Sequence, residues 1–294
     1  MQMKGSKSKI LVLGSYGLLG TELSTVLASL GYRVLRQGRG ATADFQCEPS
    51  NMVDLQRLLK DTTPDVIVNL IATTNVDLCE TNPTLAYLSN VRVVEAIIAA
   101  NLGTTAHLVH ISSDQVYNGP GPHDESSVCP CNTYGLTKYC SELIASKMPS
   151  TILRVNFVGR SRNSQRSSLA DWIVNSLRRV QPITLFDDVL FSPLHMTSLC
   201  HAIDRVICLR HAGVFNVGSS QGVSKAQFGL ELATQLGLDT KCVSIGKSAD
   251  APLKALRPLD MRMNVTRFHD SFHIATPTMR ETIALVASEY ANET

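Results

Sequence analysis

The stretch that decides the fold is Lys9-Ile-Leu-Val-Leu-Gly14-Ser-Tyr-Gly17-Leu-Leu-Gly20. Its first five residues form a short, nearly continuous apolar run, the signature of a strand buried on both faces. The glycines that follow stand at G-x-x-G-x-x-G spacing and lead into an amphipathic stretch over residues 18–30. The first glycine permits a tight turn, the second lets backbone N–H groups approach a pyrophosphate, and the third allows close helix–strand packing. A helix beginning there adds partial positive charge where the anion would sit. Gly14, Tyr16, Gly17, Leu18, Leu19 and Gly20 are therefore expected to contact a dinucleotide.

Outward from this unit the pattern repeats. Gly31 closes the helix, and residues 32–36 read as a second strand. A helix is predicted over 52–60, a strand over 66–72 after Pro64, a helix over 91–100 and a strand over 106–112. A helix over 134–147 and a strand over 151–155 complete the first half. Short strands alternating with helices imply parallel pairing through right-handed crossovers. The fold expected is α/β: a Rossmann-like, doubly wound parallel sheet with helices on both faces. The second half is less regular, with a helix over 169–180, a strand over 213–217 and a helix over 226–236. It predicts a smaller C-terminal lobe that binds substrate. The boundaries expected are 1–155 for the dinucleotide domain, rejoined by about 194–217, with 156–193 and 218–294 forming the lobe.

Composition narrows the class. The chain has 294 residues, enough for one large or two modest units, and 44% of them are hydrophobic. The 27 basic and 25 acidic residues leave a net charge of +2, which gives no reason to expect nucleic acid as a partner. Apolar runs are strand-sized, well short of the ~20 residues that cross a bilayer, so no membrane association is expected. The basic N-terminus is followed by no apolar signal core, and a cytoplasmic location is the expectation. The eight cysteines include only one close pair, Cys129-Pro-Cys131, and no pattern of paired ligands. Free thiols in a reducing compartment are expected, and no metal.

The cofactor follows from the end of the second strand. An NAD site usually places a carboxylate there for the ribose 2′-hydroxyl. Here the stretch is Leu35-Arg36-Gln37-Gly38-Arg39, with no carboxylate before Asp44. Two guanidiniums suit a 2′-phosphate, so Arg36 and Arg39 point to NADPH.

The catalytic group is read from Tyr134-Gly-Leu-Thr-Lys138, a tyrosine and a lysine four apart on one helix face. Carbonyl reduction needs a proton donor beside the arriving hydride. A phenol with a pKa of about 10 needs help near neutrality. A neighbouring ammonium and an oxidised nicotinamide would lower its pKa, and the lysine can also hold ribose hydroxyls. Upstream, His110-Ile-Ser-Ser-Asp-Gln-Val-Tyr117 puts Ser113 just past an apolar strand, where parallel sheets bind ligands. Its hydroxyl can polarise a substrate carbonyl. Ser113, Tyr134 and Lys138 are the expected catalytic residues.

Taken together, these segments resemble the extended short-chain dehydrogenase/reductase superfamily, and within it the dTDP-4-dehydrorhamnose reductase family. The similarity runs along nearly the whole chain. It includes Pro64-Asp-Val-Ile-Val-Asn-Leu-Ile-Ala72 running on to Asn75-Val-Asp-Leu-Cys-Glu80, Ile111-Ser-Ser-Asp-Gln-Val-Tyr117, Cys129-Pro-Cys-Asn-Thr-Tyr-Gly-Leu-Thr-Lys138 and Arg257-Pro-Leu-Asp-Met-Arg-Met-Asn264. The resemblance implies reduction of a 4-keto group on a nucleotide-activated 6-deoxyhexose by NADPH. Tyr134 would protonate the oxygen, Ser113 polarise it, and Lys138 hold the ribose. It implies Ala72 on the cofactor, Ser113, Asp114 and Phe157 on the sugar, Arg257 on the nucleotide, and a possible homodimer. Phe157 stands where the family often has tryptophan, and Leu-Asp-Met-Arg replaces a common Asn-Ser pair, so sugar and nucleotide contacts are expected to differ.

Two other readings share this fold. A nucleotide-sugar epimerase would carry an acidic residue after the second strand, and a dehydratase would have Asp-Glu where Asp114-Gln115 stands. A non-catalytic NADP-binding protein, like the regulatory subunit of methionine adenosyltransferase, is the reading from a different class. Elsewhere, Trp172 is expected to pack, the histidines to be packed or partly exposed, and the basic stretch over 160–166 to form a solvated loop.

Overall fold

The computed structural model describes residues 8–40, 43–163 and 166–291. The basic N-terminal run before residue 8 and residues 164 and 165 of the basic loop lie outside them. Seven strands form the central sheet: β1 (Lys9–Leu13), β2 (Arg33–Gly38), β3 (Phe45–Gln46), β4 (Val66–Asn69), β5 (His107–Ser113), β6 (Ser150–Val155) and, after four short strands outside this sheet, β11 (Gly213–Val217). Their order across the sheet is β11-β6-β5-β4-β1-β2-β3, and every neighbouring pair is parallel. The chain moves outward from β1 to one side, then returns to β4 and works to the other. The crevice at this switch, beyond the C-terminal ends of β1 and β4, is where such sheets hold ligands.

Side-chain alternation builds two cores from one sheet. Ile10 and Val12 of β1 pack with Val66, Val68, Val109 and Ile111 against α1 (Leu18–Ser29). Leu11 and Leu13 face the opposite way, towards α2 (Met52–Thr62). Burial on both faces explains why these strands read as continuous apolar runs. Between α2 and β5 the chain forms α3 (Val76–Thr81), α4 (Pro83–Tyr87) and α5 (Val93–Ala100), with a π-helical turn over Leu88–Arg92. The helix α6 (Thr133–Ala145) follows β5 and packs against it.

The remaining elements include three two-stranded pairings that periodicity did not reveal. They join β7 (Phe157–Val158) to β10 (Leu194–His195), β9 (Leu190–Phe191) to β12 (Val223–Ser224), and β8 (Ile183–Phe186) to β13 (Val243–Gly246). Strands of two to four residues hold too few positions to show a period. Around them lie α7 (Leu169–Arg178), α8 (Met196–Leu209), α9 (Lys225–Gln235), α10 (Thr266–Phe272) and α11 (Met279–Ser288). A separate apolar cluster joins Ile173 and Val174 of α7 to Phe228 and Leu232 of α9 and Ile283 and Val286 of α11. No helix among the described residues is long and apolar enough to cross a membrane.

Candidate active site

A cleft of about 460 Å³ opens at the switch point, between the glycine turn on one side and the start of α7 on the other. Gly14 adopts φ +78°, a region that L side chains rarely enter. A Cβ on Gly20 would collide with the Gly14 carbonyl oxygen and with Ser15 Cα, 2.7 Å away. The turn therefore needs both glycines, and α1 begins directly after it with no side-chain cap. Its first N–H groups are left for something in the cleft. Gly14, Gly17, Leu18, Leu19, Gly20, Ala72 and Lys138 all line that cleft.

Gln37, read from the sequence only as a missing carboxylate, braces this turn from β2. Its Oε1 accepts from Gly14 N (3.0 Å), its Nε2 donates to the Cys47 carbonyl (2.7 Å), and its own carbonyl accepts from Ser15 Oγ (2.8 Å). It is buried, so the position has a structural role. Tyr16, Arg36 and Arg39 lie outside the cleft lining, beside the end of β2. The Arg36 guanidinium stands 5.6 Å from the Tyr16 ring centroid and pairs with both carboxylate oxygens of Asp44, at 3.0 and 2.8 Å. Asp44 thus reaches back to the arginine that the sequence separates from it. Arg39 is exposed.

The second wall is built by β5 and α6. Asn132 caps α6, its Oδ1 accepting from Gly135 N (2.8 Å) while its Nδ2 donates to the Leu256 carbonyl (2.9 Å). Gly135 lies so close to the Gln115 carbonyl that no Cβ fits between them. This approach sets Tyr134 beside Ser113. Tyr134 is 7% exposed. Burial drives its phenol above the ordinary value, Asp114 and Cys79 push the same way, and a hydrogen bond with Ser113 opposes them. The spacing alone predicted a phenol driven down by the lysine. The structure instead turns that ammonium towards the Ile111 carbonyl (2.7 Å). Lys138 is 2% exposed, and burial lowers it to about 8 against the opposing pull of Glu142.

Asp114 is buried at the same point. Its carboxylate accepts from Ser113 Oγ (3.1 Å) and from Asn156 Nδ2 (2.5 Å), and burial raises it to about 6. Ser113, Asp114 and Phe157 line the cleft, whereas Arg257 stands off it. Arg257 pairs with Asp77 (3.0 Å), whose other oxygen accepts from the backbone of Lys254 and Ala255. That carboxylate fastens the C-terminal segment onto α3.

Two features escaped the sequence. Asn90, in the π-helical turn, accepts from Thr73 N (2.8 Å) and donates to Thr137 Oγ1 (3.0 Å), tying the loop after β4 to α6. Nothing in a single asparagine between Ser89 and Val91 signals this. The basic loop is more than solvated surface. Asn163 Nδ2 donates to the Tyr16 carbonyl (2.8 Å), Arg162 pairs with Glu22 (2.5 Å), and Arg166, Ser167 and Ser168 line the cleft. Trp172, expected to pack, is 42% exposed, because α7 turns Ile173 and Val174 inward instead. Both His107 and His110 are buried, and all eight cysteines are free. Among the described residues no cluster of three or more His, Cys, Asp or Glu could hold a metal ion.

A doubly wound sheet with a glycine turn at its switch point, facing a serine, a tyrosine and a lysine on the opposite wall, defines the class of dinucleotide-binding α/β proteins. Residues 8–292 match the family described as the RmlD substrate binding domain. The dTDP-4-dehydrorhamnose reductase of Salmonella typhimurium is 30% identical over 91% of this chain and 93% of its own. A spore coat polysaccharide biosynthesis protein of Bacillus subtilis is 28% identical over 81% of this chain and 83% of its own. Among solved structures, the dTDP-4-dehydrorhamnose reductase of Bacillus anthracis in complex with NADP superposes with a TM-score of 0.87. It covers 96% of this chain and 99% of its own at 21% identity, a likeness of fold. The chain belongs to the RmlD substrate-binding-domain family.

Proposed function

We propose that this protein is an NADPH-dependent reductase of the 4-keto group of a nucleotide-activated 6-deoxyhexose. The observation that carries the reading is the placement of a protonated phenol, a hydroxyl and an ammonium along one wall of a cleft whose other wall is a glycine turn. The relatives bearing the reductase name support it. The turn fits a dinucleotide: the positive φ of Gly14 and the backbone packed against Gly20 keep it free of side chains, and the uncapped start of α1 presents N–H groups to a diphosphate.

Bound there, a reduced nicotinamide supplies the hydride that adds to C4. Tyr134 gives its phenolic proton to the C4 oxygen, and its elevated proton affinity in the unreacted site keeps it in the acid form this direction requires. Ser113 donates a hydrogen bond to that oxygen as charge develops. For this its hydroxyl turns from Asp114, which it meets at 3.1 Å. Lys138 holds the ribose and returns positive charge towards the phenol as it ionises. Gly14, Tyr16, Gly17, Leu18, Leu19, Gly20 and Ala72 form the cofactor cradle, with Arg36 and Arg39 facing the 2′-phosphate. Phe157 and Asp114 meet the sugar, and Arg257 the nucleotide.

In this account residues 1–155, with 194–217, carry the cofactor, and 156–193 with 218–294 carry the substrate. The free thiols support a reducing, cytoplasmic location, and a homodimer is part of the same reading. The test is turnover of a panel of nucleotide keto sugars with NADPH, followed by mass spectrometry. A product two hydrogens heavier, formed from a dTDP-4-keto-6-deoxyhexose, is expected. Stoichiometric NADPH binding with no turnover on any member of the panel would favour the regulatory alternative.

A further inference from the structure

Three charges meet where the two halves of the molecule face each other: Asp114 from the sheet side, and Lys225 and Arg257 from the C-terminal side. Two of them are already committed. Asp114 accepts from Ser113 and Asn156, and Arg257 pairs with Asp77 and donates to the Ala255 carbonyl (2.8 Å). Lys225 differs. It is partly buried, it stands 5.9 Å from the Phe191 ring centroid, and no acceptor among the described residues takes a hydrogen bond from its ammonium. Burial and the nearby Arg257 both push its proton affinity down, while Asp114 alone pulls it up.

Stability does not explain this arrangement. Lys225 is the first residue of α9, where the helix dipole disfavours a cation. A partly desolvated ammonium without an acceptor has lost hydration and regained no hydrogen bond. The nearby Arg257 cation adds to that cost for Lys225, and an anion beside the ammonium would relieve it.

We propose that Lys225 is a substrate-binding residue that takes a diphosphate oxygen of the nucleotide sugar, acting with Arg257. This rests on the reductase reading above, which puts the C4 carbonyl at Ser113 and Tyr134. In a hexose the anomeric carbon, which carries the diphosphate, lies across the ring from C4. Asp114 is the immediate neighbour of Ser113, and Lys225 acts electrostatically on both Asp114 and Arg257. Lys225 is thus within electrostatic reach of Asp114 at the carbonyl end and of Arg257 at the proposed nucleotide end. Its ammonium, which no acceptor among the described residues takes, is the cation available to the phosphates of a bound substrate. The residue enters through Ser224-Lys225, whose capping box and whose backbone bond from Lys225 N to the Val189 carbonyl (3.0 Å) fix the start of α9.

The test is calorimetric titration of dTDP, UDP and thymidine into the NADP⁺-saturated wild-type protein and its Lys225→Met, Lys225→Gln and Lys225→Arg variants. Charge-assisted hydrogen bonds of this kind correspond to roughly 10- to 100-fold in affinity. The Met and Gln variants are expected to bind dTDP about 10- to 100-fold more weakly, to bind thymidine as the wild type does, and to retain NADPH affinity, which reports the fold. The Arg variant is expected to recover most of the loss. Wild-type affinity for dTDP in the Met and Gln variants would overturn the assignment and leave Lys225 as a counter-ion for Asp114. Wild-type protein that binds neither dTDP nor UDP would bring down the nucleotide-sugar reading itself.

Discussion

At the residue scale, the site is governed by what burial does to three ionisable groups. The sequence shows Tyr134 and Lys138 on one helix face, because the spacing of residues along one helix is legible directly. It does not show that the lysine spends its ammonium on the Ile111 carbonyl, since that partner lies 27 residues away and is backbone. Nor does it show that Asp114 is buried, because a polar residue after a strand usually lies in an exposed loop. Asp114 offers a test with a definite sign. Its folded pKa of about 6 lies above the value near 3.9 of an unfolded aspartate. A group raised in this way favours the fold fully below the unfolded value and loses that contribution as pH climbs through the folded one. Above pH 6 the wild type therefore holds a disfavoured buried carboxylate. Asp114→Asn is expected to raise the melting temperature at pH 7.5, by an amount equivalent to at most about 3 kcal/mol. The gain should vanish near pH 4. Thermal melts across that range check it, and an unchanged or lowered melting temperature at pH 7.5 would count against the burial argument.

At the element scale, α6 must be held rigidly against the sheet for Tyr134 and Lys138 to keep their places. Below them on the same helix, Glu142 meets Arg154 of β6 at 2.6 Å, each 2% exposed. Ser112 Oγ donates to Glu142 (2.5 Å), and Arg154 also donates to Tyr117 Oη (2.7 Å), which donates in turn to Asn216 of β11 (2.6 Å). One buried network thus links β5, β6, α6 and β11. Breaking one half of such a pair leaves an uncompensated charge, so Glu142→Gln is expected to destabilise the protein by about 3–5 kcal/mol. Glu142→Leu combined with Arg154→Met should cost markedly less than either change alone, as denaturant titrations would show. The main sheet was readable because strands buried on both faces advertise themselves as apolar runs. This network was not, because its members are scattered from residue 112 to residue 216 and only the fold collects them.

At the scale of the whole molecule, the strand order puts one crevice at the reversal between β1 and β4, and Asn156, Phe157 and residues 166–169 of the second half help to line it. That the second half is less regular than the first was legible in the sequence. How it packs on the first half was not, because pairings of two to four residues and the bonds from Asn163 to Tyr16 and from Arg162 to Glu22 leave no local pattern. The central claim is that hydride and proton meet on one carbonyl carbon–oxygen pair between these walls. It is tested most directly with NADPH deuterated at the transferable position and a dTDP-4-keto-6-deoxyhexose. Wild-type protein should place a single deuterium at C4 of the sugar. Tyr134→Phe should still bind NADPH but turn over about 100- to 10,000-fold more slowly. Deuterium at any other carbon, or a Tyr134→Phe variant as active as the wild type, would contradict the account.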